Sequence, residues 1–249
     1  MKQLKSFLSG VQFLTRIPCP TFTFESIYFV QALLYYPVVG LLIGAILVGE
    51  HYILSPFLTA PILSVILLIS YVLITGGLHL DGLTDTADGI FSHRSRERVL
   101  EIMKDSRVGA HGVTAAVVTL LFKYSLYLEL STKLSYPLFL SAFILSRWGM
   151  VLLIHYFPYL RAEGLGKLYA EGNTKKQVLG STLLTLLFLM ILNWKIGLIL
   201  IALVCLATWV YGRLICNFLG GFTGDTYGAY AELTEVYVLL LALLILSLM

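Results

Sequence analysis

Three aspartates stand close together in a chain that contains few charges. Asp81, Asp85 and Asp88 are spaced i, i+4 and i+7 within residues 76–89. At about 100° per residue, a helix would project all three carboxylates from one face, within a sector of roughly 60°. Like charges at this spacing repel each other, and carboxylates near a membrane also lose hydration. A bound cation would offset both penalties, so the pattern predicts a metal site formed by the three aspartates.

The residue types around the aspartates indicate which cation would bind. Carboxylate oxygens without a cysteine–histidine cluster favour Mg²⁺, Mn²⁺ or Ca²⁺ and argue against zinc. Mg²⁺ typically takes one or two carboxylates together with phosphate oxygens of a substrate. His79 and His111 border the charged motifs, where a lone histidine is more often structural than catalytic. The alternative for the acidic stretch is an ordinary helix N-terminus with Asp81 as its cap.

Basic residues follow the aspartates along the chain. Lys104, Asp105 and Arg107 stand just before the run Gly109-Ala110-His111-Gly112. Arginine offers a bidentate fork to phosphate oxygens, and glycine lets the backbone approach a phosphate closely. We therefore expect Lys104, Asp105 and Arg107 to belong to the site, with a solvated face of mixed charges as the alternative.

A second motif of similar composition occurs far away in the sequence. Residues 219–232 combine Gly220, Gly221, Thr223 and Asp225, and Glu232 follows Asp225 at i+7. A glycine-rich turn that opens a helix presents free N–H groups to an anion, and the helix dipole assists. The alternative is a flexible turn with a helix cap. The motif predicts further ligands at the same edge of the protein.

The composition excludes several classes of protein. Of 249 residues, 58% are hydrophobic and 12% are charged, whereas soluble domains average about 25% charged residues. So little charge rules out a soluble monomer, a disordered chain and a nucleic-acid binder built on a basic face. The three cysteines, Cys19, Cys205 and Cys216, fit neither a ligand spacing nor a disulfide framework.

Long apolar windows predict an all-α, polytopic bundle in the lipid bilayer. Because the windows are continuous rather than alternating, they favour helices and exclude a barrel. Lys123 and Arg147 fall inside spans and should face the bundle interior or snorkel. The N-terminal segment, which Arg16-Ile17-Pro18-Cys19-Pro20 ends, predicts an amphipathic helix in the membrane interface. We see no repeat and expect a single membrane-embedded domain over residues 1–249. About seven spans are predicted, at 30–49, 56–78, 110–129, 137–157, 177–194, 196–212 and 230–249.

The distribution of basic residues predicts the orientation of these spans. Most of the 17 lysines and arginines fall in the N-terminal segment and in the loops 79–109, 161–176 and 213–229. Only Lys133 and Lys195 fall in loops on the opposite side. By the positive-inside rule, the first group of loops lies in the cytoplasm, so the predicted site faces the cytoplasm.

Clustered carboxylates, a divalent cation and arginines at a membrane edge indicate phosphoryl transfer, which depends on positioning and charge neutralisation. The sequence also resembles a known family. Residues 76–89 (GGLHLDGLTDTADG), Ser95-Arg96 and residues 103–112 (MKDSRVGAHG) look like the signature of the cobalamin synthases, the adenosylcobinamide-GDP ribazoletransferase family. The stretches FLTRIP (13–18), YPVVG (36–40), EGLG (163–166) and GGFTGDT (220–226) match the same family in the same order.

The resemblance implies a phosphotransferase in a late step of cobalamin (vitamin B12) biosynthesis. Its substrates would be adenosylcobinamide-GDP and α-ribazole or α-ribazole 5′-phosphate, its cofactor Mg²⁺, and its location the cytoplasmic (inner) membrane of a prokaryote. A homo-oligomer is left open.

The resemblance also implies roles for particular residues. Asp81, Asp85 and Asp88 would bind the metal and the diphosphate, with Asp225 as a further metal ligand. The phosphate-binding residues would be Arg96, Lys104, Arg107, Gly220, Gly221 and Thr223. We expect the catalytic residues to be Asp85, Asp88, Asp105 and His111, with Asp105 or His111 as the base.

Two other functions compete with this interpretation. A CDP-alcohol phosphotransferase also carries aspartates on membrane helices, but its pattern begins Asp-Gly-x-x-Ala-Arg, whereas Asp81-Gly82 is followed by Leu83-Thr84-Asp85. An ion-coupled transporter would place its carboxylates near the bilayer midplane and would show inverted repeats. Here the acidic residues lie at span ends.

Overall fold

The structure, a computed structural model, describes residues 1–131, 135–172 and 174–248. Within these ranges the regular structure is helical, and one isolated backbone bridge joins Tyr159 to Phe222. The predicted all-α class is confirmed. Lys133 and the last residue of the predicted span 230–249 lie outside the described ranges. The α-helices are α1 (Lys2–Leu14), α2 (Ser26–Gln31), α3 (Tyr36–Leu54), α4 (Ala60–Thr75), α5 (Leu78–Ile90), α6 (Arg96–Ile102), α7 (Ala110–Leu128), α8 (Tyr136–Tyr156), α9 (Leu165–Gly172), α10 (Lys175–Leu219) and α11 (Gly224–Leu248).

Five helical segments in the described part of the chain are long and apolar enough to cross a membrane. They are Ser26–Leu54, in which a 3₁₀ turn joins α2 to α3, and the helices α7, α8, α10 and α11. Outward-facing large apolar side chains, such as Leu121 on α7 and Leu183 on α10, are exposed. Exposed apolar faces of this extent are typical of helices that contact lipid. A polytopic helical membrane protein is therefore the class that the fold defines.

The 45-residue helix α10 folds back on itself at Asn193. This residue has non-helical torsion angles, φ −164° and ψ 92°. A Cβ atom placed on Gly197 would lie 2.9 Å from the Cβ atom of Leu189, although a straight helix would separate residues 189 and 197 by about 12 Å. The two halves are therefore neighbours, as expected for the predicted spans 177–194 and 196–212, and the turn predicted around Asn193–Lys195 is confirmed.

The second predicted span, 56–78, is shorter than predicted. The 16 residues of α4 end at Gly76 and Gly77, whose φ angles of +63° and +67° lie in the left-handed region that glycine adopts without strain. Beyond them, α5 leaves at an angle of 89° to α4. We treat α5 as a helix that crosses one end of the bundle, outside the membrane-spanning segments. The total of seven spans stays a prediction.

Helix α8 occupies the centre of the bundle and packs against α3, α10 and α11. Arg147 on α8 and Lys123 on α7 are both fully buried. Their partners lie on α11: Lys123 Nζ is 2.6 Å from Glu232 Oε2, and both cations contact Glu235. The prediction that Lys123 and Arg147 face the interior is confirmed, because both side chains are buried and paired with carboxylates. Unpaired charges at this depth would be costly.

The N-terminal segment forms the predicted helix, α1, which ends before Pro18. Its apolar residues Val11 and Leu14 are buried, whereas Lys2 is exposed. The chain then passes the bend between α4 and α5, where the Arg16 backbone N–H donates to the Ile74 carbonyl at 2.6 Å. Helix α1 is thus attached to the helical bend that leads into the acidic helix. Its location in the membrane interface stays a prediction.

Candidate active site

Helices α5 and α11 cross in very close contact, which brings the two acidic motifs together. A Cβ atom on Gly82 would lie 2.7 Å from the backbone oxygen of Asp225, and one on Gly228 would lie 3.2 Å from the Cα atom of His79. No side chain larger than hydrogen fits at Gly82 without movement of the α11 backbone. The crossing therefore places Asp225 beside the aspartates of α5.

A cavity of about 150 Å³ opens at this crossing. Asp81 and Asp225 line it, together with the buried His79. Aromatic residues from three other parts of the chain, Phe13, Tyr36 and Tyr169, also line it, and Tyr227 lines it from α11. Residues from both motifs thus share one cavity, and the binding of a metal by Asp81 and Asp225 stays a prediction.

The aspartates of the two motifs interact electrostatically. Burial raises the pKa of Asp85 to about 6, and the neighbouring negative charges of Asp81, Asp225 and Asp88 act in the same direction. The Arg161 guanidinium opposes this shift. An accumulation of carboxylates that a single nearby arginine offsets only partly is suited to binding a cation.

Arg161 is a site residue that the sequence analysis missed. Its guanidinium donates to Asp225 Oδ2 at 2.5 Å. The residues before it are fixed by backbone pairing, because Phe222 N–H donates to the Pro158 carbonyl and Leu160 N–H to the Phe222 carbonyl, each at 2.8 Å. Its position just after a predicted span and next to the EGLG stretch could have indicated a site residue. No spacing rule connects Arg161 to Asp225, which lies 64 residues later in the sequence.

The acidic side chains at the crossing supply the oxygen donors that Mg²⁺ prefers. With the side chains as they stand, no three acidic, histidine or cysteine residues in the described ranges are close enough to form a metal site by themselves. Mg²⁺ needs only one or two protein carboxylates when phosphate oxygens and water supply the rest. Asp81, Asp85 and Asp225 meet that requirement, because they lie near one another and supply oxygen ligands alone.

Asp88 has a different environment from the one that the sequence analysis gave it. Its Oδ2 accepts a hydrogen bond from Gly109 N–H at 2.6 Å, and its Oδ1 accepts one from Gly112 N–H at 2.8 Å. A Cβ atom on either glycine would lie 2.4 Å from an Asp88 oxygen. These glycines approach a carboxylate rather than a phosphate, so Asp88 caps the N-terminus of α7, and the geometry disfavours it as a metal ligand or catalytic group.

The basic residues divide between a cavity and the surface. Lys104 lines a second cavity of about 340 Å³, together with Arg161 and Glu163. Arg107 is largely exposed and forms a bidentate pair with Asp105. The hydrogen bonds from Arg107 lower the pKa of Asp105 to about 2. A carboxylate with so low a pKa accepts a proton poorly near neutral pH, which argues against Asp105 as the base. Arg161 connects this cavity to Asp225.

The second glycine motif has structural roles in addition to its position at the site. Gly220 ends α10 with φ +83°, and a Cβ atom there would lie 2.4 Å from the Arg96 guanidinium. Thr223 is buried and caps α11, exchanging hydrogen bonds with Thr226. The Thr223 hydroxyl accepts from Thr226 N–H and donates to Asp225 Oδ2, and the predicted phosphate-binding role of Gly220 and Thr223 stays a prediction. Gly221 packs against the Pro158 carbonyl.

His111 lies in the first turn of α7 and is exposed. Its ring centroid is 6.0 Å from that of Phe91, just beyond the end of α5. The structure therefore groups Asp81, Asp85 and Asp225 with Arg161, places Lys104 in the adjacent cavity, and leaves His111, Asp105 and Arg107 at the surface of the same end of the bundle.

Comparisons with known proteins agree with this description. The family model for cobalamin-5-phosphate synthase matches residues 6–243. An adenosylcobinamide-GDP ribazoletransferase of Desulfitobacterium hafniense (strain Y51) is 43% identical, over 96% of this chain and 97% of the relative. Enzymes with the same name from Desulforamulus reducens and Escherichia coli O157:H7 are 41% and 37% identical, over 94% and 96% of this chain and 94% and 99% of the relatives. No solved structure matches the chain.

The fold and site thus define a polytopic membrane transferase. The chain belongs to the cobalamin-5-phosphate synthase family, and as a member it is a transferase of cobalamin biosynthesis. The resemblance stated from its motifs is confirmed.

Proposed function

We propose that the chain transfers the cobinamide phosphate of adenosylcobinamide-GDP to α-ribazole or α-ribazole 5′-phosphate. A ribose hydroxyl of the acceptor attacks the phosphorus atom attached to cobinamide, and a new P–O bond forms. The bond from this phosphorus to the bridging diphosphate oxygen breaks, and GMP leaves with the electron pair. The single observation that carries the proposal is the meeting of Asp81, Asp85 and Asp225 with Arg161 where α5 crosses α11.

The residues of the crossing have distinct tasks in this reaction. Asp81, Asp85 and Asp225 would hold Mg²⁺, which when bound supplies positive charge to the diphosphate. Arg161 and Lys104, which line one cavity, would bind diphosphate oxygens. Arg96 and Arg107 would extend this basic surface. Asp88 positions α5 against α7 through its two backbone hydrogen bonds.

The attacking hydroxyl must lose a proton. Of the two bases proposed from the family resemblance, we retain His111. Its neighbour Gly112 donates to Asp88 on α5, so the ring stands at the acidic end of the bundle. The low pKa of Asp105 makes that carboxylate the poorer acceptor.

We also propose a location and an assembly for the protein. The basic loops favour the cytoplasmic membrane of a prokaryote with the site facing the cytoplasm, and the whole chain, residues 1–249, forms one domain. Apolar faces on α4 and α10 are compatible with lipid contact or with a homo-oligomer, which cross-linking in native membranes distinguishes.

The experiment uses the full chain purified in detergent, with adenosylcobinamide-GDP as donor. GMP release should require both α-ribazole and Mg²⁺, should stop with EDTA and should return when Mg²⁺ is added in excess. Asp81→Asn should reduce the rate at least 100-fold, whereas the matched surface variant Glu97→Gln should retain it. GMP release without an acceptor, or full activity in EDTA, would contradict the proposal.

A further inference from the structure

The cavity of about 340 Å³ beside the crossing contains a carboxylate to which the proposed reaction gives no task. The residues that line it are Leu100 and Lys104, from α6 and the turn after it, and residues 160–163, from the segment after α8. Glu163 is exposed, and its carboxylate forms no hydrogen bond or ion pair within the described ranges. Arg161, two residues earlier, pairs with Asp225 instead. Glu163 can therefore accept hydrogen bonds from a ligand.

The cations of this cavity indicate where the phosphate end of a ligand would lie. Arg161 reaches Asp225 at the crossing of α5 and α11, at 2.5 Å. A phosphate bound by Arg161 would therefore lie beside the aspartates of the crossing. Lys104 and Glu163 line the same cavity, so the group attached to this phosphate has one further cation and one carboxylate within reach.

The volume of the cavity selects between the two groups attached to the diphosphate of the donor. Small-molecule sites measure about 300–1,000 Å³, and a cavity of about 340 Å³ lies at the lower end of this range. A nucleoside has a suitable size, whereas the corrin ring of cobinamide with its side chains is much larger. Leu100, Leu160 and Ala162 supply apolar surface, against which a flat base can pack.

We infer that this cavity binds the guanosine half of the donor, and that Glu163 accepts hydrogen bonds from N1–H and the 2-amino group of guanine. This inference rests on the proposed function, because it takes adenosylcobinamide-GDP as the donor. The two N–H groups point in the same direction and match the two oxygens of a carboxylate, which makes the hydrogen bonds charge-assisted. Adenine has an acceptor at N1 and no 2-amino group. Glu163 is thus a specificity-determining residue that selects guanine over adenine.

The test compares the binding of nucleotides to the full chain, purified in detergent with Mg²⁺. In calorimetric titrations GMP should bind at least tenfold more tightly than AMP, because adenine leaves the carboxylate without its partners. Glu163→Gln should weaken GMP binding and raise KM for adenosylcobinamide-GDP, each about tenfold, while kcat stays within threefold because the base is remote from the reacting phosphorus. The matched control Glu171→Gln changes an exposed carboxylate of α9 outside this cavity and should alter none of these values.

A gain of binding distinguishes base recognition from a structural role of Glu163. Xanthine carries a carbonyl oxygen where guanine carries its 2-amino group, so the wild-type carboxylate should repel xanthosine monophosphate. The side-chain amide of Glu163→Gln can donate to that oxygen. This variant should therefore bind xanthosine monophosphate at least fivefold more tightly than the wild-type protein does. Damage to the fold would weaken the binding of every nucleotide and could not produce this gain.

Three results would overturn the inference. Equal binding of GMP and AMP would mean that the cavity recognises phosphate alone. A wild-type preference for GMP over deoxyguanosine monophosphate that disappears in Glu163→Gln would place the carboxylate on the ribose. An unchanged order of nucleotide affinities in Glu163→Gln would exclude this residue from recognition. In each case the transferase function stands if the wild-type protein releases GMP from the donor with α-ribazole and Mg²⁺; if it releases none, the proposed function fails.

Discussion

The guanidinium group of Arg161 lies 2.5 Å from Asp225 Oδ2, joining the segment after α8 to the first turn of α11. Both side chains are partly buried, so water screens the pair less than it would screen a surface ion pair. Asp225 in turn lies against Gly82 of α5. One arginine therefore reaches the point where the two acidic motifs meet, and it can bind either Asp225 or a substrate phosphate.

Replacing Arg161 should separate its role in the reaction from its role in folding. We expect Arg161→Ala to reduce kcat/KM for adenosylcobinamide-GDP about 100-fold, the loss typical of removing one charged donor from a developing anion. Arg161→Lys should recover only part of this activity, because lysine lacks the planar fork. The exposed Arg98, paired with Glu101, provides the control Arg98→Ala, which should retain the wild-type rate. A wild-type rate for Arg161→Ala would exclude it from the site.

Asp85 should show a conflict between activity and stability. Its raised pKa means that burial and nearby carboxylates disfavour its charged form, so Asp85→Asn should relieve repulsion in the metal-free protein. We expect the Tm in detergent with EDTA to rise by about 2–4 °C, while GMP release falls at least 100-fold. Differential scanning fluorimetry and a GMP assay measure the two effects.

The exposed Glu25, at the N-terminus of α2, offers the control Glu25→Gln, which should change neither quantity. A lower Tm for Asp85→Asn would show that the charge of this carboxylate stabilises the metal-free fold.

Asp88 should act on the α7 N-terminus rather than on the metal. Asp88→Ala removes the acceptors of Gly109 and Gly112 N–H and should destabilise the protein by about 2 kcal/mol. Hydrogen exchange at these two amides should accelerate, whereas the Mg²⁺ concentration for half-maximal activity should stay within twofold. The opposite pattern, unchanged exchange and a large shift in Mg²⁺ dependence, would restore Asp88 as a metal ligand.

Gly112→Ala offers a second measurement at the same contact. The added methyl group would lie 2.4 Å from Asp88 Oδ2, so this variant should also accelerate exchange at the α7 N-terminus while all four aspartates remain.

The buried charges of α7, α8 and α11 should be strongly coupled. Glu235→Gln leaves Lys123 and Arg147 with one carboxylate, Glu232, and should destabilise the protein by about 3–5 kcal/mol. Lys123→Met in the same chain removes the excess positive charge. The double variant should therefore be less destabilised than the sum of the two single variants, by more than about 1 kcal/mol in thermal unfolding. Additive effects would mean that the contacts of Lys123 and Glu235 are energetically independent.

The helical class, the turn near Asn193 and the approach of Asp81 to Asp225 could be predicted from the sequence. The apolar windows predict the helices, and the similar composition of the two glycine–aspartate motifs indicates that they meet. Both patterns can be recognised within short stretches of the sequence. The 89° bend after α4 could not be located, because a Gly-Gly pair fits a helix end and a loop equally well. Arg161 was missed because its partner lies 64 residues away. The contact of Asp88 with Gly109 and Gly112 was not predicted, because glycines next to charged residues permit a close approach by either a phosphate or a carboxylate.

The order of the charged helices along the chain constrains how the protein matures. Glu235 follows Lys123 by 112 residues and Arg147 by 88, and Glu232 lies on the same final helix. During synthesis the two cations reach the bilayer long before either carboxylate exists, so α7 and α8 cannot adopt their final packing until the C-terminus has been inserted. A chain that stopped before α11 would retain two uncompensated positive charges in lipid, and quality-control proteases would be expected to degrade it.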